Sequence, residues 1–453
     1  MIKKITRHIA FALILTATAT SHSVVGSDFY KSIRQSIESD YSNRLKDLFE
    51  DFHANPELST VEFKTAEKLA SQLRRHGYEV TTGIGGTGIV AILKNGPGPL
   101  VMMRADMDGL PIKEKTGLAY ASTAEQVDPF SQELSPVMHA CGHDVHITSL
   151  IGTAKQMVDI KAHWSGTLML IGQPAEERLM GAQAMMDDGL WQRFGTPDYA
   201  LAFHVAAGMP GGTINVQEGS PFAGADSVDI IVHGVGAHGA SPHLGKDPIV
   251  LASQIVLALQ TLVSRELAPR KPGVITVGAF NAGSKHNILP DRAHLKVTVR
   301  NTSLETRDLL LTGIKRITEN LGRAAGLPED KLPEVIHGRE STPPTINNMQ
   351  LVQRLQAVWQ QQLGEKFVTS FSSQGMGAED FPAFTTDPAI PSVYFAVGGT
   401  KLEDIVAAQS GTGPAIPSHH SPLFRIEPQP AIITGVFATV TALLDLMQSE
   451  VDG

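Results

Sequence analysis

The chain has 453 residues, 42% of them hydrophobic and only 18% charged, with a formal net charge of −9. Such a length fits two or three domains, or one large unit carrying an insertion. The acidic balance argues against a nucleic-acid partner, because phosphate binding needs a basic patch. A single cysteine excludes an intramolecular disulfide.

In chain order, residues 1–8 are basic, 9–15 apolar and 16–23 small and polar. That is the order of a secretory signal peptide, with cleavage after Ala19 or Ser23. It predicts a leader at 1–23, export to a periplasm or beyond, and no stable membrane anchor after cleavage; an uncleaved anchor is the rival reading. The apolar run is shorter than the roughly 20 residues that span a bilayer, and no later segment is expected to span one. Residues 29–52 and 60–76 have amphipathic helical spacing, 86–93 and 100–103 read as strands, and 143–158 regains a helical period. Strands alternating with helices predict an α/β fold with a largely parallel, covered sheet. From about residue 222 the order becomes strand (227–233), helix (247–265), two strands (273–280 and 293–300), helix (306–325) and a short strand (332–337). This is a compact βαββαβ unit. A helix at 349–363, a strand at 392–397 and a closing helix at 428–448 follow. The organisation expected is a catalytic domain in two parts, 28–221 and 342–453, interrupted by an inserted unit at 222–341.

Residues chemically suited to a metal collect along this frame. Cys141 lies within five positions of His139, His143 and His146, and a thiol beside imidazoles and a carboxylate is a soft-to-borderline metal site. An extended backbone would point Cys141 and His143 to one side, although a buried Cys near unrelated histidines looks similar in sequence. Glu176 and Glu177 follow the apolar run 166–172, at the strand end where open α/β sheets place their chemistry; alone, such a pair reads as readily as a solvated turn. His204 closes another apolar run, and His419-His420 stand in a polar stretch near the C-terminus.

Taken together and in order, the segments Arg104-Ala105-Asp106-Met107-Asp108-Gly109-Leu110-Pro111, Cys141-Gly142-His143, Pro174 to Glu177, Phe203-His204-Val205, Gly236 to His243 and Met376 to Phe381 resemble the M20 metallopeptidases. The likeness is to their amidohydrolase subgroup of hippurate, N-acyl-amino-acid and auxin-conjugate hydrolases. It implies a metal-binding α/β catalytic domain with an inserted lid that also forms a homodimer. It implies about two divalent ions per subunit, zinc or manganese foremost, cobalt or nickel as alternatives. Cys141, His143, Glu177, His204 and His420 match the ligand positions, with His420 preferred over His419 because a small residue and then Pro follow it. Most of the wider superfamily carries an Asp where Cys141 stands. Glu176 matches the general base. By the same resemblance His238 reaches into the partner's site to stabilise an oxyanion, and Asn287 and Arg300 hold the substrate. A guanidinium suits a carboxylate, so a free α-carboxylate on the substrate is expected; a surface salt bridge is the plain alternative for Arg300. Asp108 would orient a ligand histidine. Asp106 could be that or a polar turn, and His139, His146, Glu379 and Asp380 receive no role. The activity implied is hydrolysis of N-acyl-amino acids, with a carboxypeptidase or dipeptidase as alternative. A silent metal- or peptide-binding protein would need a lost base or ligand, and every such position is filled.

Overall fold

The computed structural model describes residues 27–372 and 375–448; the expected leader lies outside them. Its centre is an eight-stranded sheet in the order Glu79–Ile84, Gly88–Asn95, Gly166–Gln173, Leu100–Asp106, Tyr199–Pro210, Ser392–Thr400, Ile214–Asn215, Val368–Thr369. The four inner strands from Gly166–Gln173 to Ser392–Thr400 are parallel. The flank beginning at Glu79–Ile84 is antiparallel, which corrects the expectation of a largely parallel sheet. The cause is local. Ile84 and Gly88 are joined through Gly85 and Gly86, both at positive φ, and so tight a turn can return the chain only antiparallel. A Cβ on Gly85 would lie 2.4 Å from Met185 N, so the close approach also needs glycine.

The inner strands are buried on both faces, as parallel sheets require. Along Leu100–Asp106 the side chains alternate between two cores. Val101, Met103 and Ala105 join the larger core with helices His143–Asp159 and Pro428–Leu446, while Met102 joins Met169, Ala182 and Phe381 on the opposite face.

A second sheet has the order Gly273–Ala282, Arg292–Asn301, Gly224–His233, Glu334–Thr342, antiparallel throughout. Helices Pro248–Thr261 and Leu304–Ala324 complete the βαββαβ order read from the sequence. Both helices are capped as their sequences suggest. Asp247 accepts from the backbone N–H groups of Ile249 and Val250 ahead of Pro248, and Ser303 accepts from Thr306. The unit has its own core around Val228, Ile255, Leu295 and Ile314. Strand Arg292–Asn301 sends Ala293, Leu295, Val297 and Val299 into that core and turns Thr298 and Arg300 to the other face.

Two helical segments, Pro248–Glu266 and Pro428–Leu446, are each 19 residues long with mean hydropathy 1.4. By length and composition they could cross a membrane, which corrects the expectation that no later segment would. The second is 83% buried within the protein and is a core helix. The first is only 33% buried and leaves Val250 and Leu257 exposed.

Candidate metal centre and active site

The inner parallel strands end at one edge, where Asp106 and Gln173 are paired neighbours and His204 lies on the adjacent strand Tyr199–Pro210. Cys141 and His143 reach this edge by a route the alternation argument did not foresee. Gly142 is left-handed (φ 88) and caps helix His143–Asp159, so the backbone turns between the two side chains. A Cβ there would stand 2.4 Å from Val205 Cγ1, which makes glycine obligatory. The Glu176–Arg178 turn is bracketed by two non-glycine residues at positive φ, Ala175 (48) and Leu179 (52). Strain of that kind collects at functional sites.

These elements bring together the sulfur, three imidazoles and two carboxylates. Cys141 Sγ lies 3.4 Å from His204 Nε2. His143 Nε2 is 3.7 Å from Glu176 Oε2 and 3.9 Å from Glu177 Oε1, and His420 Nε2 is 3.3 Å from Glu177 Oε2. Among the described residues these six form three overlapping donor groups, Cys141–His143–His204, Cys141–Glu177–His420 and His143–Glu176–Glu177, the first two sharing the thiol.

The donor set fits divalent metal. Two ligands on one tetrahedral ion, a thiolate and an imidazole, stand about 3.5 Å apart, close to the spacing of Cys141 and His204. His143 Nε2 and Glu177 Oε1 are buried with no hydrogen-bond partner among the described residues, a cost that a cation would relieve. His204 Nδ1 donates to the Val205 carbonyl at 2.8 Å, leaving the Nε2 lone pair for a metal. The pocket also favours positive charge. Burial opposes a charge on His143, yet Asp106, Asp108 and Glu177 raise it to about 10. Burial lifts the Glu176 carboxyl well above the usual range, with Glu379 and Glu177 adding to it.

The supporting residues explain what the sequence left open. Asp108 accepts from the backbone N–H groups of Glu176 (3.2 Å) and Glu177 (3.1 Å) and from Ser59 Oγ. Its Oδ1 lies 3.3 Å from His143 Nδ1, an ion-pair contact not aligned as a hydrogen bond. Asp108 therefore holds both the acidic turn and the His143 imidazole. Asp106 is no mere turn: one oxygen holds His146 Nδ1 at 2.5 Å and the other Arg104 Nη1 at 2.6 Å. His146 Nε2 accepts from Val205 N–H, so both its nitrogens are committed. Arg104, fully buried, also binds Glu379 and Gln173, each at 2.7 Å. Tyr394 donates to Glu379, and Gln173 and Ala182 N–H hold Asp380. Sequence reasoning gave Arg104, Gln173 and Tyr394 no role here; the available signal was an arginine inside an apolar strand, which must find partners when buried.

A cavity of about 790 Å³ opens over the centre, with Cys141, Glu176, Glu177, His204 and His420 on one wall and Thr298 and Arg300 of the second sheet on another. His238 and Asn287 do not line it. They are exposed neighbours on a small ribbon in which Ala237–His238 pairs with Ile288–Leu289, and Gly239 N–H donates to Asn287 O.

Candidate metal donors sharing a thiol, beside a protonatable carboxyl at the C-terminal ends of the inner parallel strands, define a metal-dependent hydrolase. Comparison with known proteins narrows the class. The family description "Peptidase family M20/M25/M40" matches residues 102–410, and the chain belongs to that family. It is 38% identical to a hippurate hydrolase of Campylobacter jejuni over 349 residues, covering 76% of this chain and 86% of that protein. It is 35% identical to an IAA-amino acid hydrolase of Arabidopsis thaliana over 381 residues, covering 83% and 79%. The structure superposes on the YXEP protein of Bacillus subtilis, a dinuclear metal-binding peptidase of the M20 family. The TM-score is 0.70 at 27% identity, and 90% of this chain and 98% of that one are covered.

Proposed function

We propose that the protein hydrolyses the amide bond of N-acyl-amino acids, releasing a carboxylic acid and a free amino acid. The observation that carries this is the placement of Arg300 across one cavity from the donor set and Glu176. A guanidinium there can grip an α-carboxylate and leave the scissile amide facing the donor residues and Glu176. Cys141, His143, Glu177, His204 and His420 would hold divalent metal, two ions per subunit, with zinc or manganese best suited to the mixed donors. Bound metal supplies Lewis acidity, polarising the carbonyl and making water a better nucleophile. Glu176 takes the proton from the attacking water and passes it to the departing nitrogen, so the carbon–nitrogen bond breaks with a neutral amine leaving.

The same reading assigns the oxyanion contact to His238 of a second subunit, with Asn287 beside it on the substrate. Exposed apolar residues of the inserted unit (222–341), among them Val235, Val250, Leu257 and Ile288, support a homodimer. The basic–apolar–polar order at 1–23 supports export to a periplasm or beyond. Small peptides with a free C-terminal carboxylate offer Arg300 the same handle and are the second substrate class. The test is a panel of N-acyl-amino acids, dipeptides and the matching amino amides, assayed for released amine with wild type and Arg300→Ala. KM should rise strongly for the carboxylates and little for the amides. An equal loss on both would make Arg300 structural and remove the carboxylate from the reading.

A further inference from the structure

His419, next to the proposed ligand His420, is held in a different way. The backbone N–H of His420 donates to Ala140 O at 2.9 Å, and its φ of 65 turns the side chain toward Glu177. The neighbouring imidazole turns the other way. His419 Nε2 accepts a hydrogen bond from Ala207 N–H at 3.3 Å, so its lone pair is spent there and the ring hydrogen must sit on Nδ1. That Nδ1 lies 3.7 Å from Cys141 Sγ. The sulfur thus has His204 Nε2 at 3.4 Å with a lone pair facing the centre, and His419 Nδ1–H at 3.7 Å, with the Cys141 backbone as a neighbouring acceptor. Phe424 stacks against the His419 ring at 4.8 Å between centroids, tilted by 40°, and limits its rotation.

We propose that His419 is a positioning residue for the metal-bound thiolate: its Nδ1–H donates to Cys141 Sγ, fixing the sulfur for the metal and moderating its donation. A hydrogen bond to an anionic ligand is charge-assisted and stronger than one between neutral groups. It draws electron density from the sulfur, which moderates its donation and makes it less open to oxidation. The proposal rests on the assignment of Cys141 as a metal ligand.

Two substitutions separate this role from plain packing. His419→Asn places an amide donor where Nδ1 stood and gives up the Ala207 contact. His419→Gln keeps an acceptor for Ala207 N–H and removes the donor to sulfur. Each variant and the wild type are loaded with cobalt(II). Affinity is read by chelator competition, and the sulfur-to-cobalt charge-transfer band by absorption. The expected result is an affinity loss of about 10–100-fold for His419→Gln, with its band moved to longer wavelength, and values near wild type for His419→Asn. The opposite order, Gln mild and Asn impaired, would make His419 a support for the 207 backbone alone and overturn the proposal. Equal impairment of both variants, with a changed coordination spectrum, would make His419 a ligand and also overturn it. A wild-type protein with no charge-transfer band would remove Cys141 from the metal, and the proposal with it, while leaving the hydrolysis panel as a separate test.

Discussion

Glu176 and Glu177 are adjacent, yet their surroundings divide their work. Glu177 faces His420 and His143, whereas Glu176 has Glu379 and Asp380 behind it; burial raises both carboxyls, so their different neighbours divide them. Glu176→Gln should therefore keep its metal, measured by elemental analysis, and lose about 10²–10⁴-fold in turnover. Glu177→Gln should lose metal. Equal metal loss in both would contradict the division. Beneath them Arg104 balances Asp106, Glu379 and Asp380 in a site closed to water. Arg104→Met should destabilise by about 3–5 kcal/mol in urea unfolding, because it strands buried carboxylates; a change within about 0.5 kcal/mol would show that the acids are not charged together. The proposed donors were legible locally: Glu177 and His204 follow or close apolar runs, Cys141 and His143 share a histidine cluster, and His420 stands in a polar stretch. The support beneath them was not. Arg104 and Glu379 are 275 positions apart, and no local pattern announces a pairing that only the fold creates.

Helix His143–Asp159 carries the proposed ligand His143 at its first residue and a stability device at its second. Asp144 binds His53 Nδ1 at 2.7 Å, and Glu114 binds Nε2 at 3.1 Å. Burial alone would lower His53, but the two carboxylates raise it from 6.5 to about 9. A raised folded-state value means that this contribution is complete below about pH 6.5 and is lost as the pH climbs to about 9. It amounts to about 3 kcal/mol at most. The urea midpoint of wild type should fall across that window, and His53→Gln should flatten the fall; parallel profiles would place the titration elsewhere. Gly142→Ala, forced against Val205 and into an unsuitable φ, should cost about 1–3 kcal/mol and weaken metal binding. The helix itself was legible from its period, as was Met349–Leu363, which the structure reproduces residue for residue. Strand Glu79–Ile84 was not, because its mostly exposed, flank position leaves only Ile84 fully buried and no apolar alternation to read.

At the scale of the molecule, the two larger sheets meet at one cavity, and the inserted unit supplies Arg300 to it while its exposed His238 does not line it. If His238 serves a partner, His238→Ala should bind metal and stay dimeric but be nearly inactive. Mixing it with Glu176→Gln should then restore activity, since a mixed dimer holds one site with both groups intact. Random exchange should recover about a quarter of wild-type sites in a two-fold dimer. No recovery after demonstrated exchange would return His238 to its own chain.

The inserted unit's order was readable from the sequence because its strands and helices carry clean periods. The direction in which its ribbon points was not, because ribbon residues 237–239 and 287–288 are mostly exposed and pattern carries no orientation. The claim beneath all of these is that the donor set works through divalent metal on an acylated amino acid. The direct measurement is release of free amino acid from an N-acyl-amino acid, followed with metal content through chelation and reconstitution. Activity should vanish as the metal leaves and return when divalent ions are restored. Full hydrolysis by protein verified free of metal would contradict the account.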